Sequence, residues 1–441
     1  AVWDNVGKKG LGDIELSADG KTLWVVNLHD RLLYEINVTN GSFQTHDFAE
    51  PADCPSHPAT PSGQLNYNLR PGGLAVEKGV LYYTLTCTAE NIGTATGVPT
   101  DYLKAYVYKF ENGLHTQVVK ADLDYARPEN AVGRPPVPWQ TWTTTEQFIC
   151  NNGDNLVFYP QPWAFDVEFD EEGYLILGLA DRFGDQTGFQ YNSSNNSCTT
   201  SSFDGISTGD VLIFSYSNNA YQLENNGSVG NRTSISGVGN SQGPNGGEFF
   251  SHEAYSLNNP MRSHNEIALG SVSLVKGKGE VILNAFDPGF RETGDNINAG
   301  GLIWLSNQDG SRTRSYEIYE NGDPQTFAKS NGIGDVEALC GKAPLEIGNY
   351  VWCDSIANGI QDACERGIDG ITVQLYDRTG TLVGLTTTAS SGQYYFNENN
   401  VDSTGINPDG TALNSFTGMS YDTQYFVVFG NSQFTASEFT V

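Results

Sequence analysis

Positive charge is scarce in this chain. Its 441 residues include 23 lysine and arginine residues against 52 aspartate and glutamate residues, and the formal net charge at pH 7 is -29. A surface this acidic repels nucleic acid and anionic lipid, and it attracts cations. We therefore expect no nucleic-acid partner.

Long apolar runs are also missing, so we expect no membrane-spanning segment. The chain contains 7 cysteines and 2 methionines. Cysteines used sparingly and in local pairs favour an oxidising compartment, and we expect a secreted or cell-surface protein. Plausible loop staples are Cys54–Cys87 and Cys150–Cys198. The sequence does not fix these pairings, nor the partner of Cys340.

Glycine and aromatic residues are abundant, with 50 glycines, 22 tyrosines and 22 phenylalanines. This mixture favours strands and turns over helices. One pattern recurs: a short alternating stretch, a glycine-bearing turn and a more apolar strand, which is typical of a β-hairpin. The copies are "GDIELSADGKTLWVVN" from Gly12, "GGLAVEKGVLYYTL" from Gly72, "WAFDVEFDEEGYLILGL" from Trp163, "LGSVSLVKGKGEVILNA" from Leu269 and a partial "GIGDVEALC" from Gly332.

The repeated hairpins are followed by further strands, as in the blades of a β-propeller. We therefore predict an all-β chain whose residues 1–342 form a β-propeller of five to seven blades. After Cys340 the composition changes, and "GKAPLEIGNYVW" combines a proline-containing linker with an abrupt new strand. We place a domain boundary near Ala343, so that residues 343–441 form a second domain.

The second domain contains the stretch "CDSIANGIQDACERG", from Cys353 to Gly367. Numbered from Asp354, it has the oxygen spacing and the glycine of a twelve-residue calcium loop. The predicted Ca²⁺ ligands are Asp354, Asn358, the carbonyl of Ile360, Asp362 and Glu365. Position three is Ile356, which offers no side-chain ligand. The alternative is an Asn/Gly-rich turn without a metal.

Two cysteines bracket this loop. Cys353 precedes the first predicted ligand and Cys364 precedes the last. A disulfide between them would close the loop where the metal also draws the chain together. We hypothesise that this bridge compensates for the ligand lost at Ile356.

The same region resembles a known family. "IGNYVWCDSIANGIQDACERGIDGITVQLYD", followed by "GTLVGLTTTASSGQYYF", is similar to the SdrD B-like domain of bacterial surface proteins. The resemblance implies an immunoglobulin-like β-sandwich, stiffened by calcium and used as a stalk or spacer, with the ligands given above. Less specifically, the upstream segments resemble the propeller-type region that precedes such domains in large bacterial surface proteins.

The last segment, "TQYFVVFGNSQFTASEFTV", is shorter than the end of that family's domain. An incomplete sandwich would leave an open edge, which a strand from another copy could fill. We therefore expect self-association into a fibre, or binding to other surface proteins or glycans.

Three predicted inner strands contain an Asp-x-Glu pair, and alternation places both acids of a pair on one face. The pairs are Asp13 with Glu15, Asp166 with Glu168, and Asp335 with Glu337. If all three pairs face a central channel, their carboxylates can bind a cation, for which calcium is the candidate. The alternative is a hydrated channel wall, or acids paired with arginine and backbone amides.

A histidine lies near another inner strand, where "SHNEIALG" contains His264 and Glu266, and His252 with Glu253 lies upstream. Such residues around a cation could support hydrolysis. The alternative is a structural histidine. No nucleophile elbow, phosphate loop or catalytic His–Cys signature accompanies these residues.

These observations favour an extracellular, calcium-stiffened structural protein of a bacterial-type cell surface, either a fibre subunit or an adhesive head on a stalk. Two alternatives stay open. One is a calcium-dependent propeller hydrolase that uses His264 and Glu266. The other is a glycan-binding head, with exposed aromatic residues of long loops as stacking platforms.

Overall fold

The computed structural model of the chain describes residues 2–90, 92, 99–128, 136–150, 155–193, 202–255, 264–275, 277–289, 298–319, 329–338, 346–362, 365–396, 419 and 423–430. It contains two compact units, Ala1–Ala338 and Leu339–Val441. The predicted boundary near Ala343 lies outside the described residues.

The first unit is built almost entirely of strands. Its described helices are α1 (Val2–Asn5), α2 (Arg182–Gln186) and two 3-10 helices (Pro99–Tyr102 and Pro244–Gly246). None of the described helices is long and apolar enough to cross a membrane. The strands are β1 (Leu11–Leu16), β2 (Thr22–Asn27), β3 (Leu32–Asn37), β4 (Phe43–Asp47), β5 (Leu69–Glu77), β6 (Val80–Cys87), β7 (Lys104–Glu111), β8 (Leu114–Asp122), β9 (Ile149–Cys150), β10 (Leu156–Phe158), β11 (Pro162–Phe169), β12 (Leu175–Asp181), β13 (Tyr191–Asn192), β14 (Ser202–Gly205), β15 (Asp210–Ser217), β16 (Ala220–Leu223), β17 (Ser228–Val229), β18 (Arg232–Thr233), β19 (Ala254–Tyr255), β20 (His264–Asn265), β21 (Ala268–Leu274), β22 (Glu280–Phe286), β23 (Gly300–Ser306) and β24 (Arg312–Tyr319).

Four sheets of this unit are four-stranded, antiparallel and ordered as in the sequence. They are β1–β4, β5–β8, β11-β12-β15-β16 and β21–β24. Each begins with one of the predicted full hairpins, which are thereby confirmed as β1–β2, β5–β6, β11–β12 and β21–β22. The fifth copy forms no strand in its described residues, 332–338. A smaller mixed sheet has the order β13-β14-β10-β9, and two-stranded ribbons join β17 to β18 and β19 to β20.

The first strands of the four sheets lie side by side, because β5 contacts both β1 and β11, and β11 also contacts β21. Glycines permit this close approach. A Cβ added to Gly72 would lie 1.8 Å from the carbonyl oxygen of Ala164, and one added to Gly73 would lie 2.4 Å from the Cα of Asp166. Any larger residue at these positions would push β5 and β11 apart.

Strand β12 shows how the sheets share their cores. All seven of its residues are buried. Ile176 belongs to one apolar cluster, whereas Leu175, Leu177 and Leu179 belong to another. Alternate side chains of the strand therefore enter different cores, which explains why its residues 175–180 carry no polar side chain instead of alternating.

The second unit contains two small antiparallel sheets. Its strands are β25 (Ile347–Tyr350), β26 (Thr372–Asp377), β27 (Leu382–Thr387), β28 (Gln393–Phe396) and β29 (Tyr425–Phe429). Strand β25 pairs with β28, and β26 lies between β27 and β29. The two sheets contribute to one apolar core, whose buried residues are Val373, Leu375, Val383, Tyr394 and Phe396. The predicted short C-terminal end of this domain, residues 431–441, lies outside the described residues.

Candidate cation sites

The predicted calcium loop of the second unit is closed by Glu365. Its Oε1 accepts hydrogen bonds from the N–H of Ser355 (2.6 Å), the hydroxyl of Ser355 (3.2 Å) and the N–H of Ile356 (3.3 Å). Its Oε2 accepts from the N–H of Asp362 (3.2 Å). One buried carboxylate therefore ties the beginning of the loop to its end.

The other predicted ligands turn toward the same loop. Asp354 accepts from the N–H of Asn358 (3.2 Å) and of Gly359 (2.8 Å). The Asn358 side chain donates to Asp362 at 2.9 Å and accepts from the N–H of Ile360 at 2.8 Å. The backbone donors, above all Gly359, lower the pKa of Asp354. The structure thus joins the four predicted side-chain ligands in one hydrogen-bonded loop.

This donor set suits a hard cation, because each side chain offers oxygen and neither nitrogen nor sulfur ligands take part. Gly359 adopts φ +75° at the turn, as the sixth position of such a loop requires. Ile356 occupies the third position with 64% of its surface exposed, and it offers no side-chain ligand. Calcium binding by this loop stays a prediction.

The predicted bridge across this loop is wrong for this structure. Cys353 is a free, exposed thiol, and Cys364 lies outside the described residues. The loop is closed instead by Glu365 and by the bond from the N–H of Cys353 to the carbonyl of Arg366 at 2.9 Å. In the first unit, Cys54 and Cys87 do form a disulfide. Cys150 is disulfide-bonded too, whereas Cys198 and Cys340 lie outside the described residues.

The acidic pairs of the predicted channel do approach one another. Burial and, to a smaller extent, the nearby charge of Asp335 raise the pKa of Asp13 to about 7. Burial also raises the pKa of Asp166, again with contributions from Asp335 and Asp13. Asp13 and Asp335 both line a cavity of about 320 Å³, together with Trp163 and Phe165.

Two glutamates of these pairs, Glu15 and Glu337, respond in the same way. Burial, followed by the charge of Glu337, raises the pKa of Glu15 to about 8. Burial and the charge of Asp335 raise the pKa of Glu337. Glu168 accepts a hydrogen bond from the N–H of Phe169 at 3.3 Å. The carboxyl groups are therefore close enough to disfavour simultaneous ionisation.

The aspartates nevertheless have backbone partners, as the alternative interpretation expects. Each accepts a hydrogen bond from the N–H of the following residue, and each also accepts one from a neighbouring first strand. The bonds to the neighbouring strand are Leu74 N–H to Asp13 (2.6 Å), Val272 N–H to Asp166 (2.8 Å) and Ser271 Oγ to Asp335 (2.8 Å). A cation at the channel stays a prediction, whereas a structural role of these three carboxylates is visible.

The two histidines with hydrolytic potential lie in different surroundings. The His264 ring packs edge-on against Phe286, with ring centroids 6.0 Å apart. His252 accepts through Nδ1 from the backbone N–H of Arg312 at 3.2 Å. Glu266 is buried and pairs with Arg127 at 3.1 Å. Hydrolysis by His264 and Glu266 stays a prediction.

Comparison with known proteins identifies part of the chain. Residues 345–412 match the model of the SdrD B-like domain, and the predicted resemblance is thereby confirmed. Over 89 residues, or 20% of the chain, the sequence is 44% identical to the bone sialoprotein-binding protein of Staphylococcus aureus, of which it covers 8%.

Longer matches include proteins of Dictyostelium discoideum. The chain is 27% identical to Colossin-A over 409 residues, which is 88% of this chain and 3% of that protein. It is 33% identical to Colossin-B over 267 residues, which is 58% of this chain and 6% of that protein. The chain thus spans a small part of these relatives. Among solved structures, a Hadza microbial sialidase shares 9% identity at a TM-score of 0.33, over 71% of this chain and 47% of that one.

Proposed function

We propose that this chain is part of an extracellular structural or adhesive protein and that its second unit, Leu339–Val441, is stiffened by calcium. The observation that carries the proposal is the loop of Asp354, Asn358, Asp362 and Glu365, which lies inside the region that matches the SdrD B-like domain. An oxygen-lined loop on a small β domain suits a mechanical role, because a bound ion would hold several loop positions at once.

Calcium would be held by the carboxylates of Asp354, Asp362 and Glu365, by the amide oxygen of Asn358 and by the carbonyl of Ile360. When bound, the ion would supply charge neutralisation and several strong bonds to oxygen. Glu365 already joins the two ends of the loop, so the ion would reinforce an existing closure. Because the apolar core of this unit is small, closure of the loop would contribute a large share of the unit's stability.

The finer architecture is part of the proposal. We propose that the four-stranded sheets of the first unit are propeller blades, with β1, β5, β11 and β21 as innermost strands and residues 332–338 continuing the series. Support comes from the side-by-side order of these strands and from the bonds that Asp335 and Val336 make to Ser271. The second unit would be an immunoglobulin-like sandwich, with the boundary near Ala343.

A surface location is supported by chemistry and by similarity. The buried Cys54–Cys87 disulfide is typical of a protein in an oxidising compartment. The relatives include a protein named for binding bone sialoprotein and the Colossins. Because the Colossins come from Dictyostelium discoideum, the similarity does not restrict the chain to bacterial surfaces. We propose that the chain displays or spaces a binding region for other surface molecules.

Assembly with further copies is a second element of this function. In the sheet β27-β26-β29, no further described strand pairs with the outer edge of β27 or of β29. Half of the Phe429 surface is exposed on β29. A strand from another copy could pair with such an edge. Light scattering and electron microscopy of the purified chain test this, since a monomer at all concentrations would contradict fibre formation.

Trypsin tests the calcium proposal at a single bond. Arg366 is exposed directly after Glu365, and its carbonyl closes the loop through Cys353. We expect calcium to slow cleavage after Arg366 relative to a chelator, and Asp354→Asn to abolish that protection. Asp377→Asn serves as the control: it removes a charge at the β26–β27 turn of the same unit and should retain the protection by calcium. Equal cleavage rates with and without calcium would refute the proposed role of the loop.

A further inference from the structure

A separate group of carboxyl groups is buried inside the first unit. Asp210 begins β15, Glu248 follows a 3-10 helix, Glu253 precedes β19 and Glu266 follows β20. One oxygen of each lies within 4.8 Å of the others. The four residues are between 2% and 3% exposed. Packing has therefore gathered four acids, from the part of the chain between residues 210 and 266, away from solvent.

Part of this group has no hydrogen-bond partner. Both carboxylate oxygens of Glu253 and Oε1 of Glu248 lack one, although they are shielded from water. Burying an ionised carboxylate without a partner costs roughly several kcal/mol. A folded protein therefore compensates such a group with a counter-ion or a proton. One oxygen of each of the four acids lies close to an oxygen of every other, so the compensating species belongs between them.

The neighbouring cations do not balance the charge. Arg127 donates to Glu266 at 3.1 Å and to the carbonyls of Thr208 and Gly209, both at 2.8 Å. The Arg312 guanidinium lies near Glu253 but makes no hydrogen bond.

A fifth buried acid adds to the imbalance. Glu224 lies close enough to Glu248 to raise its pKa, and it accepts from two backbone N–H groups. Five carboxyl groups thus share two guanidinium groups.

We propose that Asp210, Glu248, Glu253 and Glu266 form a buried binding site for a divalent cation, and that calcium is its ligand. All four residues supply oxygen, which calcium prefers, and none supplies the nitrogen or sulfur that zinc or copper favours. A spacing of up to 4.8 Å between ligand atoms is about twice the calcium–oxygen distance of roughly 2.4 Å. Ligands on opposite sides of one calcium ion would be spaced in this way.

The surroundings hold two of the ligands in place. The hydroxyl of Tyr125 donates to Asp210, which also accepts from the N–H of Val211 at 2.7 Å. Arg127 orients Glu266. The unpartnered oxygens of Glu248 and Glu253 then face the ion. This site lies in the first unit and is independent of the loop at Asp354.

The competing explanation is protonation. Burial raises the pKa of Glu266 to about 7 and raises the pKa values of Glu248 and Glu253 above their usual range. Protons shared among these carboxyls, as between Glu253 and Glu266, would remove the imbalance without a metal. The first explanation predicts that calcium binds at these four residues, and the second predicts that it does not.

Calcium content separates them. The full chain, unfolded and refolded in calcium and then freed of loose ions, is analysed by mass spectrometry, alongside Glu253→Gln and Asp354→Asn. We expect Glu253→Gln to retain about one ion per chain fewer than the parent. Asp354→Asn should lose only the ion of the loop, so a failure of either site is visible separately. Glu171→Gln, which removes one exposed charge from the turn between β11 and β12, should change nothing.

Two further measurements distinguish the loss of the ion site from misfolding of the variant. In chelator, Glu253→Gln should melt at the same or a higher temperature than the parent, because a buried repulsion is gone. Tb³⁺ in place of calcium should luminesce through Tyr125, whose hydroxyl contacts Asp210, and through Trp139, 3.3 Å from that hydroxyl. That emission should fall in Glu253→Gln and persist in Asp354→Asn. Unchanged ion content and emission in Glu253→Gln would overturn the site in favour of shared protons.

Discussion

Asp166 and Val272 are 106 residues apart, and the Asp166 carboxylate accepts a hydrogen bond from the Val272 backbone N–H at 2.8 Å. The bond joins β11 to β21, the first strands of two sheets. Asp13 makes the corresponding bond to the N–H of Leu74 in β5. Carboxylates that were predicted to face a cation thus also link one sheet to the next.

Replacing Asp166 with alanine should destabilise the first unit by about 2–3 kcal/mol, because the buried N–H groups of Val167 and Val272 would lose their acceptor. Urea denaturation measures the change. Asp335→Ala removes a similar pair of bonds at an exposed residue and should cost less than about 1 kcal/mol. Equal losses in both variants would contradict the role of burial.

Stability in chelator should fall as the pH rises from about 4 to about 8. The raised pKa values of Asp13, about 7, and Glu15, about 8, mean that the folded chain keeps protons that the unfolded chain releases near pH 4. The stabilisation is complete below pH 4 and is lost as the pH passes the folded-state values. The melting temperature, measured across this pH range, should fall less steeply with pH in Glu15→Gln than in the parent. An equally steep fall in both would refute the raised pKa of Glu15 as a cause.

Glu365→Ala should loosen the loop even without calcium, because the N–H groups of Ser355, Ile356 and Asp362 lose their acceptor. We expect faster tryptic cleavage after Arg366 in chelator. Glu365→Gln keeps one acceptor oxygen and should be cleaved at an intermediate rate. If Glu365→Ala were cleaved as slowly as the parent, closure by this carboxylate would be ruled out.

Replacing both Cys54 and Cys87 with serine should cost about 3–4 kcal/mol, since the bridge spans a sequence separation of 33. Denaturant unfolding of the double variant measures the loss. Substitution is preferable to reduction, because Cys150 is disulfide-bonded as well. Cys353→Ser removes a free, exposed thiol and serves as the control that should leave stability unchanged.

Several features could be predicted because neighbours in the chain define them. The four hairpins follow from alternation and glycine-bearing turns, and each one appears as the first strand pair of a sheet. The predicted oxygen ligands from Asp354 to Glu365 are close in sequence, so their meeting in one loop required no long-range information. The partner of Cys54 was an open choice until the fold brought Cys87 to it.

Other features depended on contacts between distant segments. The fifth copy of the hairpin pattern has the same acids as the first but forms no strand in its described residues. The sequence predicts a disulfide from Cys353 to Cys364. In the structure, Glu365 closes the loop and the Cys353 thiol is free. The spacing of two cysteines does not show whether a disulfide or a hydrogen-bonded side chain closes the loop between them.

Local patterns in the sequence are enough to predict the hairpin strands, their turns and the loop in which oxygen-bearing side chains cluster, since periodicity and turn chemistry act over a few residues. Which charges are buried together depends instead on how distant parts of the chain pack. Glu253 and Asp210 carry no sign in the sequence that they belong to one group. Their shared environment arises only when separate segments pack and exclude water, and desolvation then changes what those carboxylates can bind.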